Sequence, residues 1–227
     1  MPAMLSPSVE DYIKAIYKAG SDTGTVATQD LAGRLGVSAP AVSKMMRRLA
    51  ELGLISHTPY QSVELTSSGE KMALEIIRHH RLLELYLVQA MGFTWDNVHE
   101  EAERLEHHIS EEFENRIDEL LQHPATCPHG DPIPTRSGSI ARTSNRALAT
   151  QQEPERLVVR RVSDEDSGLL RHFKALGVVP GVQIDFLRKE PFEGPLVLRI
   201  AGKLVRITPQ AARGVFVDPA VSLDAAT

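Results

Sequence analysis

The stretch that most constrains this chain runs from His99 to His107, His-Glu-Glu-Ala-Glu-Arg-Leu-Glu-His, together with His80 and Glu84 earlier in the sequence. On a helix, side chains three or four positions apart share a face. His99 and Glu103 then lie one turn apart, Glu106 and His107 follow Glu103 by three and four residues, and His80 and Glu84 are again four apart. Apolar Ala102, Leu105 and Ile109 are interleaved with them. Ionisable groups buried at such positions need water, opposite charges or a cation. Two readings meet that demand. One is a solvated acidic helix, to which Glu100, Glu101, Glu111, Glu112 and Glu114 belong; the other is a divalent-metal site of carboxylates and imidazoles. For the second, all-oxygen and nitrogen donors suit Mn2+ and Fe2+, whereas structural zinc sites usually show paired cysteines. The single cysteine, Cys127, lies beyond the cluster.

One cysteine excludes an internal disulfide framework and fits a reducing compartment. No apolar run approaches the roughly 18 residues of a membrane span, so a cytoplasmic protein with no membrane partner is expected. The formal charge of −5 argues against indiscriminate nucleic-acid binding through bulk charge. Its distribution is uneven: residues 76 to 139 hold 12 acids against 5 Lys/Arg, and residues 140 to 227 hold 10 against 13.

In the amino-terminal third, Val9, Ile13, Ile16 and Tyr17 recur at helical spacing, Ser8 is placed as a cap, and Asp11 and Lys14 sit on the polar side. Thr28 stands where it can cap a second helix through Leu31 and Leu35; Gly36 ends that helix and Ser38 opens a third. Ala32, Gly36 and Val42 take the small, turn and buried positions of a helix-turn-helix. The third helix is expected to pack through Val42, Met45, Leu49 and Leu52. Its other face shows Ser38, Ala39, Pro40, Ser43, Lys44 and Arg47, small residues that let the backbone approach a groove and cations for phosphates. Leu54, Ile55, a turn from His57 to Ser62, and the alternating Val63 and Leu65 read as a wing hairpin. Thr28 and, in the wing turn, Tyr60 complete the expected DNA-contacting set. This order predicts a winged helix-turn-helix at residues 1–75, with double-stranded operator DNA as its partner.

Ser67 and Glu70 form a capping-box signal for a long helix from about Ser68 to Met91, whose stripe carries Ile76, His80, Leu83, Glu84 and Leu87. Gly92 breaks it. A second long helix is expected from Trp95 to Gln122 on Val98, Ala102, Leu105, Ile109, Phe113, Ile117 and Leu121. Two long helices over residues 76–140 read as a homodimerisation surface, because paired heads read a two-fold-related DNA site. Cys127-Pro-His129-Gly-Asp-Pro-Ile-Pro134 is a rigid turn in which Cys127 and His129 are expected to pack and cap. Residues 141–155 read as a linker. Over residues 156–227, strands at Leu157–Val162, Val182–Leu187, Leu196–Ile200 and Lys203–Ile207, with a short helix at Leu169–Leu176 and glycine turns, predict a small barrel. Asp164, Glu165 and Asp166 precede that helix, where acids favour the N-terminus; capping and a reach toward metal both remain open.

With these parts in this order, the chain resembles the metal-dependent repressors of the diphtheria toxin repressor and manganese transport regulator family. The most specific pieces are His-Arg-Leu-Leu-Glu at 80–84 and the 99–107 segment. The resemblance implies a mainly α fold with a small β part: an N-terminal winged helix-turn-helix, a helical dimerisation and metal-binding domain, and a C-terminal SH3-like, FeoA-type barrel. Carried over by motif, Asp11, Glu103, Glu106 and His107 form a primary regulatory site. A second comprises His80, Glu84 and His99, with help from Glu165 or its neighbours Asp164 and Asp166, giving two metal ions per chain. Iron-type members place methionine and cysteine where this chain has Asp11 and Glu103, which tilts the expectation toward Mn2+ over Fe2+. Some manganese-type members carry a glutamate one turn after the aspartate; here that position is Lys14. Ser38, Pro40 and Ser43 match family DNA-contact positions, and Lys44 stands where iron-type members carry glutamine.

Other classes fit less well. Di-metal carboxylate enzymes use Glu-x-x-His pairs, and none of the nine histidines has glutamate three residues before it. The zinc-protease motif fails because position 103 is glutamate, not histidine. No enzyme activity and no small organic substrate are expected. A metal-independent winged-helix regulator sensing a small ligand or peptide is the rival. The leading expectation is a metal-dependent repressor of metal-uptake genes that binds a palindromic operator as a dimer.

Overall fold

The apolar periodicities fold the chain into two units in the computed structural model, which describes residues 6–23, 26–56 and 62–220. The first unit takes the chain up to His80 together with Leu105–Glu111 and Pro134–Ile140; the second takes Arg81–Arg104, Glu112–Ile133 and the chain from Ala141.

In the first unit, helices α1 (Pro7–Thr23), α2 (Thr28–Leu35) and α3 (Ala39–Glu51) precede a hairpin of β1 (Ile55–Ser56) and β2 (Glu64–Leu65), and α4 (Ser67–Met91) follows. Val9, Ile13 and Ile16 of α1 share a core with Leu31 of α2 and with Val42, Met46 and Leu49 of α3. Met46 takes the core position expected of Met45, because 42, 46 and 49 keep the four-then-three spacing of one helical stripe. Ser38 caps α3 by accepting from the Ala41 N–H at 3.4 Å, whereas α2 is capped by Ala27 without a side-chain bond and Thr28 is its first residue. Antiparallel pairing sets Ile55 opposite Leu65 in the wing. Ser38, Ala39, Pro40, Ser43, Lys44 and Arg47 are exposed, and Thr28 is half-buried. Tyr60, in the wing turn, lies outside the described residues.

The single helix expected from Trp95 to Gln122 is two, α5 (Val98–Leu105) and α6 (Glu111–Leu120). The chain turns after Leu105, where the His108 N–H bonds the Leu105 carbonyl at 2.9 Å. Ser110 with Glu111 and Glu112 then supplies the residue types that favour a new helix start. In an unbroken helix the neighbours Glu106 and His107 would point about 100° apart. The turn instead lets both side chains go under cover, 0% and 8% exposed.

The second unit ends in a five-stranded antiparallel sheet of order β6-β5-β4-β3-β7, from β3 (Glu155–Val162), β4 (Gln183–Lys189), β5 (Leu196–Ile200), β6 (Lys203–Ile207) and β7 (Val215–Pro219). Alternating Leu157 and Val159, Ile184 and Phe186, Leu196 and Leu198, and Val215 and Val217 face one core with Phe173 of α7 (Ser167–Leu176) and Ala212 of α8 (Pro209–Ala212). Register shifts at Val159/Arg161 and Phe186/Arg188 are the irregularities that curl such a sheet. The β5–β6 hairpin turns through Ala201 (φ 47°) and Gly202 (φ 80°), the two positive φ values of a type I′ turn. Within the stretch expected to be a linker, Leu148 is fully buried in this core and Ala147 bridges Phe216. Among the described residues no helix is long and apolar enough to cross a membrane.

The Cys127–Pro134 turn lies hard against β3: the Val162 N–H bonds the His129 carbonyl at 2.9 Å, and a Cβ on Gly130 (φ 91°) would sit 2.1 Å from the Arg160 carbonyl oxygen. Gly130→Ala therefore combines a left-handed residue with a backbone clash and is expected to cost about 3 kcal/mol of unfolding free energy. Gly202→Ala, with positive φ and open space, should cost only about 1 kcal/mol. Denaturant melts of the two variants check the ordering.

Candidate metal centre

Glu106, in the turn after α5, has a fully buried carboxylate. Such a group must be compensated. Lys14 of α1 donates from Nζ to both Glu106 oxygens at 2.8 Å, and His80 of α4 donates from Nδ1 to Oε2 at 2.6 Å. The adjacent His107 reaches α1 with both ring nitrogens, Nδ1 lying 2.6 Å from Glu10 Oε2 and Nε2 lying 2.9 Å from Asp11 Oδ1. Nδ1 is therefore the ring atom that meets Glu10, and Nε2 is the one that faces Asp11 and Glu106. Asp11, Glu106 and His107 each bring a donor atom within 4.8 Å of the others. Two carboxylates and an imidazole, with a further carboxylate orienting the ring, fit a hard divalent cation and the outer support that metal-bound histidines use. Glu103 is half-buried on α5, one turn before Glu106.

Neither Glu10 nor the burial of Lys14 was legible in the sequence. A glutamate four residues before a lysine on a first helix reads as a surface ion pair, yet Lys14 is only 4% exposed. The signal that existed was that Lys14 lies one turn from both Glu10 and Asp11.

In the second unit the carboxylate of Glu84 on α4 is fully buried. His99 Nδ1 lies 3.2 Å from Glu84 Oε1 and 3.5 Å from Asp164 Oδ2, and these three residues bring donor atoms within 4.8 Å of one another. Behind them, His129 Nδ1 is 3.5 Å from Glu84 Oε2, its Nε2–H donates to the Trp95 carbonyl at 2.7 Å, and its ring stacks on Trp95 with centroids 5.7 Å apart. Burial alone would strip the His129 proton, but the bond and charge of Glu84, with Asp164 behind it, outweigh burial and hold its pKa above the ordinary histidine value. Of the three acids that precede α7, Asp164 joins the cluster, Asp166 caps α7 by accepting from the Leu169 N–H at 3.0 Å, and Glu165 is exposed. His80 has its Nδ1 on Glu106.

Comparison with known proteins gives the context of these clusters. Residues 4–63 match the iron dependent repressor N-terminal DNA binding domain, residues 66–135 its metal binding and dimerisation domain, and residues 146–219 the FeoA domain. The iron-dependent repressor IdeR of Mycobacterium leprae is 34% identical over 192 residues, covering 79% of this chain and 84% of the relative. The chain belongs to the iron-dependent repressor family. It is a metal-dependent, DNA-binding repressor with a helical DNA-binding head, a helical dimerisation and metal-binding part, and a small antiparallel FeoA sheet. The diphtheria toxin repressor of Corynebacterium glutamicum is 29% identical over 227 residues, covering 94% of this chain and 97% of the relative. A solved manganese-dependent transcriptional repressor in complex with manganese superposes with TM-score 0.88 at 38% identity, over 93% of this chain and all of the other.

One consequence for this repressor concerns its lone thiol. Cys127 is buried beside Glu84 and His129, and burial first, then the charges of Glu84 and Asp131, push its pKa well above the ordinary thiol value. A protonated, covered thiol is a poor nucleophile. Ellman's reagent at pH 8 is expected to find no reactive thiol in the native protein and one per chain after denaturation; prompt reaction of the native protein would contradict this burial.

Proposed function

We propose that this repressor answers to Mn2+, with Fe2+ as the alternative metal, and that it holds two ions per chain. It binds a palindromic operator as a homodimer in the cytoplasm and shuts down metal-uptake genes. The observation that carries the reading is the Asp11–Glu106–His107 donor set, oxygen and nitrogen without sulfur, assembled between α1 and the turn after α5. Hard donors of this kind favour Mn2+ and similar ions. A solved relative described as manganese-dependent, in complex with manganese, supports the choice.

The ion would supply positive charge where Asp11 and Glu106 converge. Glu103 is the further carboxylate proposed for this site. Glu84, His99 and Asp164 would hold the second ion, with His80, Glu165 and Asp166 as the remaining candidates. Asp11 lies on the first helix of the DNA-binding head, so its engagement with His107 restrains that helix. Glu10 keeps the His107 ring turned toward Asp11. Restraint of the heads raises operator affinity by a coupling free energy of typically about 1–3 kcal/mol, and DNA must tighten metal binding equally. On α3 the exposed Ser43, Lys44 and Arg47 face outward with Ser38, Ala39 and Pro40 at the helix start, as groove contact requires; Thr28 and Tyr60 are the flanking contacts. Exposed Met91, Phe113 and Leu120 on α4 and α6 offer apolar surface for the second copy.

Fluorescence anisotropy of a labelled fragment from upstream of the protein's own gene tests this reading, at one stated salt concentration. Mn2+ should tighten binding of chelator-treated protein at least about fivefold, with random DNA failing to compete. Asp11→Ala and His107→Ala should lose the response. Glu10→Gln should need about 10- to 100-fold more Mn2+. Arg47→Ala should weaken all sequences alike and reduce the salt slope by about one. Tight binding indifferent to metal would overturn the reading.

A further inference from the structure

Lys14 does something unusual for a lysine on an amphipathic surface helix. The residue is only 4% exposed, and its ammonium lies 2.8 Å from each oxygen of Glu106, so two carboxylate oxygens converge on one cationic atom. The same Glu106 also belongs to the Asp11–Glu106–His107 donor group, with Oε1 lying 3.6 Å from His107 Nε2. The buried carboxylate thus faces two cation positions, and the chain's own ammonium fills one.

We propose that Lys14 is a resident cation standing in for a second metal ion, so that the Asp11–Glu106–His107 cluster takes one divalent ion and not an adjacent pair. This rests on that cluster being a metal site. A lysine ammonium carries one charge and three donors, and it cannot be released from the chain. It neutralises part of Glu106 permanently, while Asp11 and His107 remain the groups that answer to the free ion. The specificity-determining feature is therefore a charge at residue 14: exchanging it for a carboxylate turns the ammonium position into a second ligand position.

The test counts metal. Wild type, Asp11→Ala and Lys14→Glu, each the full chain, are dialysed to equilibrium against saturating Mn2+ and analysed for manganese per chain. The proposal expects Asp11→Ala to bind one ion fewer than wild type and Lys14→Glu one more. Asp11→Ala one lower with Lys14→Glu unchanged would overturn the Lys14 proposal and leave the metal-site reading standing. Asp11→Ala equal to wild type would remove the site itself, and the proposal with it. Lys14→Gln gives an independent readout through thermal melts with chelator and with Mn2+. Losing the internal cation should lower the chelator midpoint, and Mn2+ should raise the midpoint of this variant more than that of wild type. An equal Mn2+-induced rise in both would show Lys14 to be packing only and would overturn the assignment.

Discussion

The buried carboxylate of Glu106 is the constraint on which the first unit depends. An uncompensated charge at that depth is not tolerated, and removing one partner from such a pair typically costs about 3–5 kcal/mol. The partners come from far apart in the sequence, Lys14 on α1 and His80 on α4, so satisfying one side chain fixes the rotation of one helix and the placement of the turn that carries Glu106. Apolar contacts among Ile13, Leu31, Val42 and Met46 supply attraction without direction. The ion pair supplies the direction, because it is satisfied only when α1 presents Lys14 inward and, with it, Glu10 and Asp11 toward His107.

Glu84 plays the equivalent part in the second unit. Its carboxylate meets His99 of α5 on one side and His129 of the Cys127–Pro134 turn on the other, and Asp164 approaches the same His99 from the segment between β3 and α7. The turn is itself held by Trp95 stacking, by the His129–Val162 backbone bond and by the close approach of Gly130 to Arg160. Each of these supports is packing that does not involve Glu84. A site built on such supports keeps its geometry before any ligand arrives, which is what preorganisation requires.

Much of this was legible in the sequence where a local rule and a tertiary role agreed. The helix-turn-helix followed from Gly36, Ser38 and the apolar spacing, since turn chemistry and burial both demand those residues there. The break between α5 and α6 was not legible, because Leu105, Ile109, Phe113 and Ile117 keep a helical period straight through it; the tertiary demand to bury Glu106 and His107 together overrides a pattern that is locally sound. Strand β7 was missed because five residues carry too little alternation to stand out, and Leu148 because one leucine among Ser, Thr, Arg and Ala gives no periodicity at all. In the candidate site, Glu106 and His107 stood out by type and spacing, whereas Asp11 was reached only through the family resemblance. Glu10 and Lys14 did not, since an acid and a base four apart on a helix are an ordinary surface pair.

The two kinds of cation proposed for Glu106, the Lys14 ammonium and a divalent ion, differ in a way that explains why a regulator would keep both. An ammonium on a four-carbon stem neutralises charge, but it directs its donors loosely and stays attached at every metal concentration. A divalent ion carries twice the charge, fixes its ligands in direction, and comes and goes with its free concentration. Were both positions at Glu106 filled by lysines, the carboxylates would be satisfied permanently and α1 would report nothing. Were both left to free ions, the metal-free chain would hold a buried carboxylate against Asp11 and Glu10 with no built-in compensation, and its first unit would be strained toward unfolding. On the proposed assignment, giving one position to Lys14 would keep the metal-free fold intact, and leaving Asp11 and His107 to the other would keep the helix that leads into the DNA-binding head responsive to a single ion.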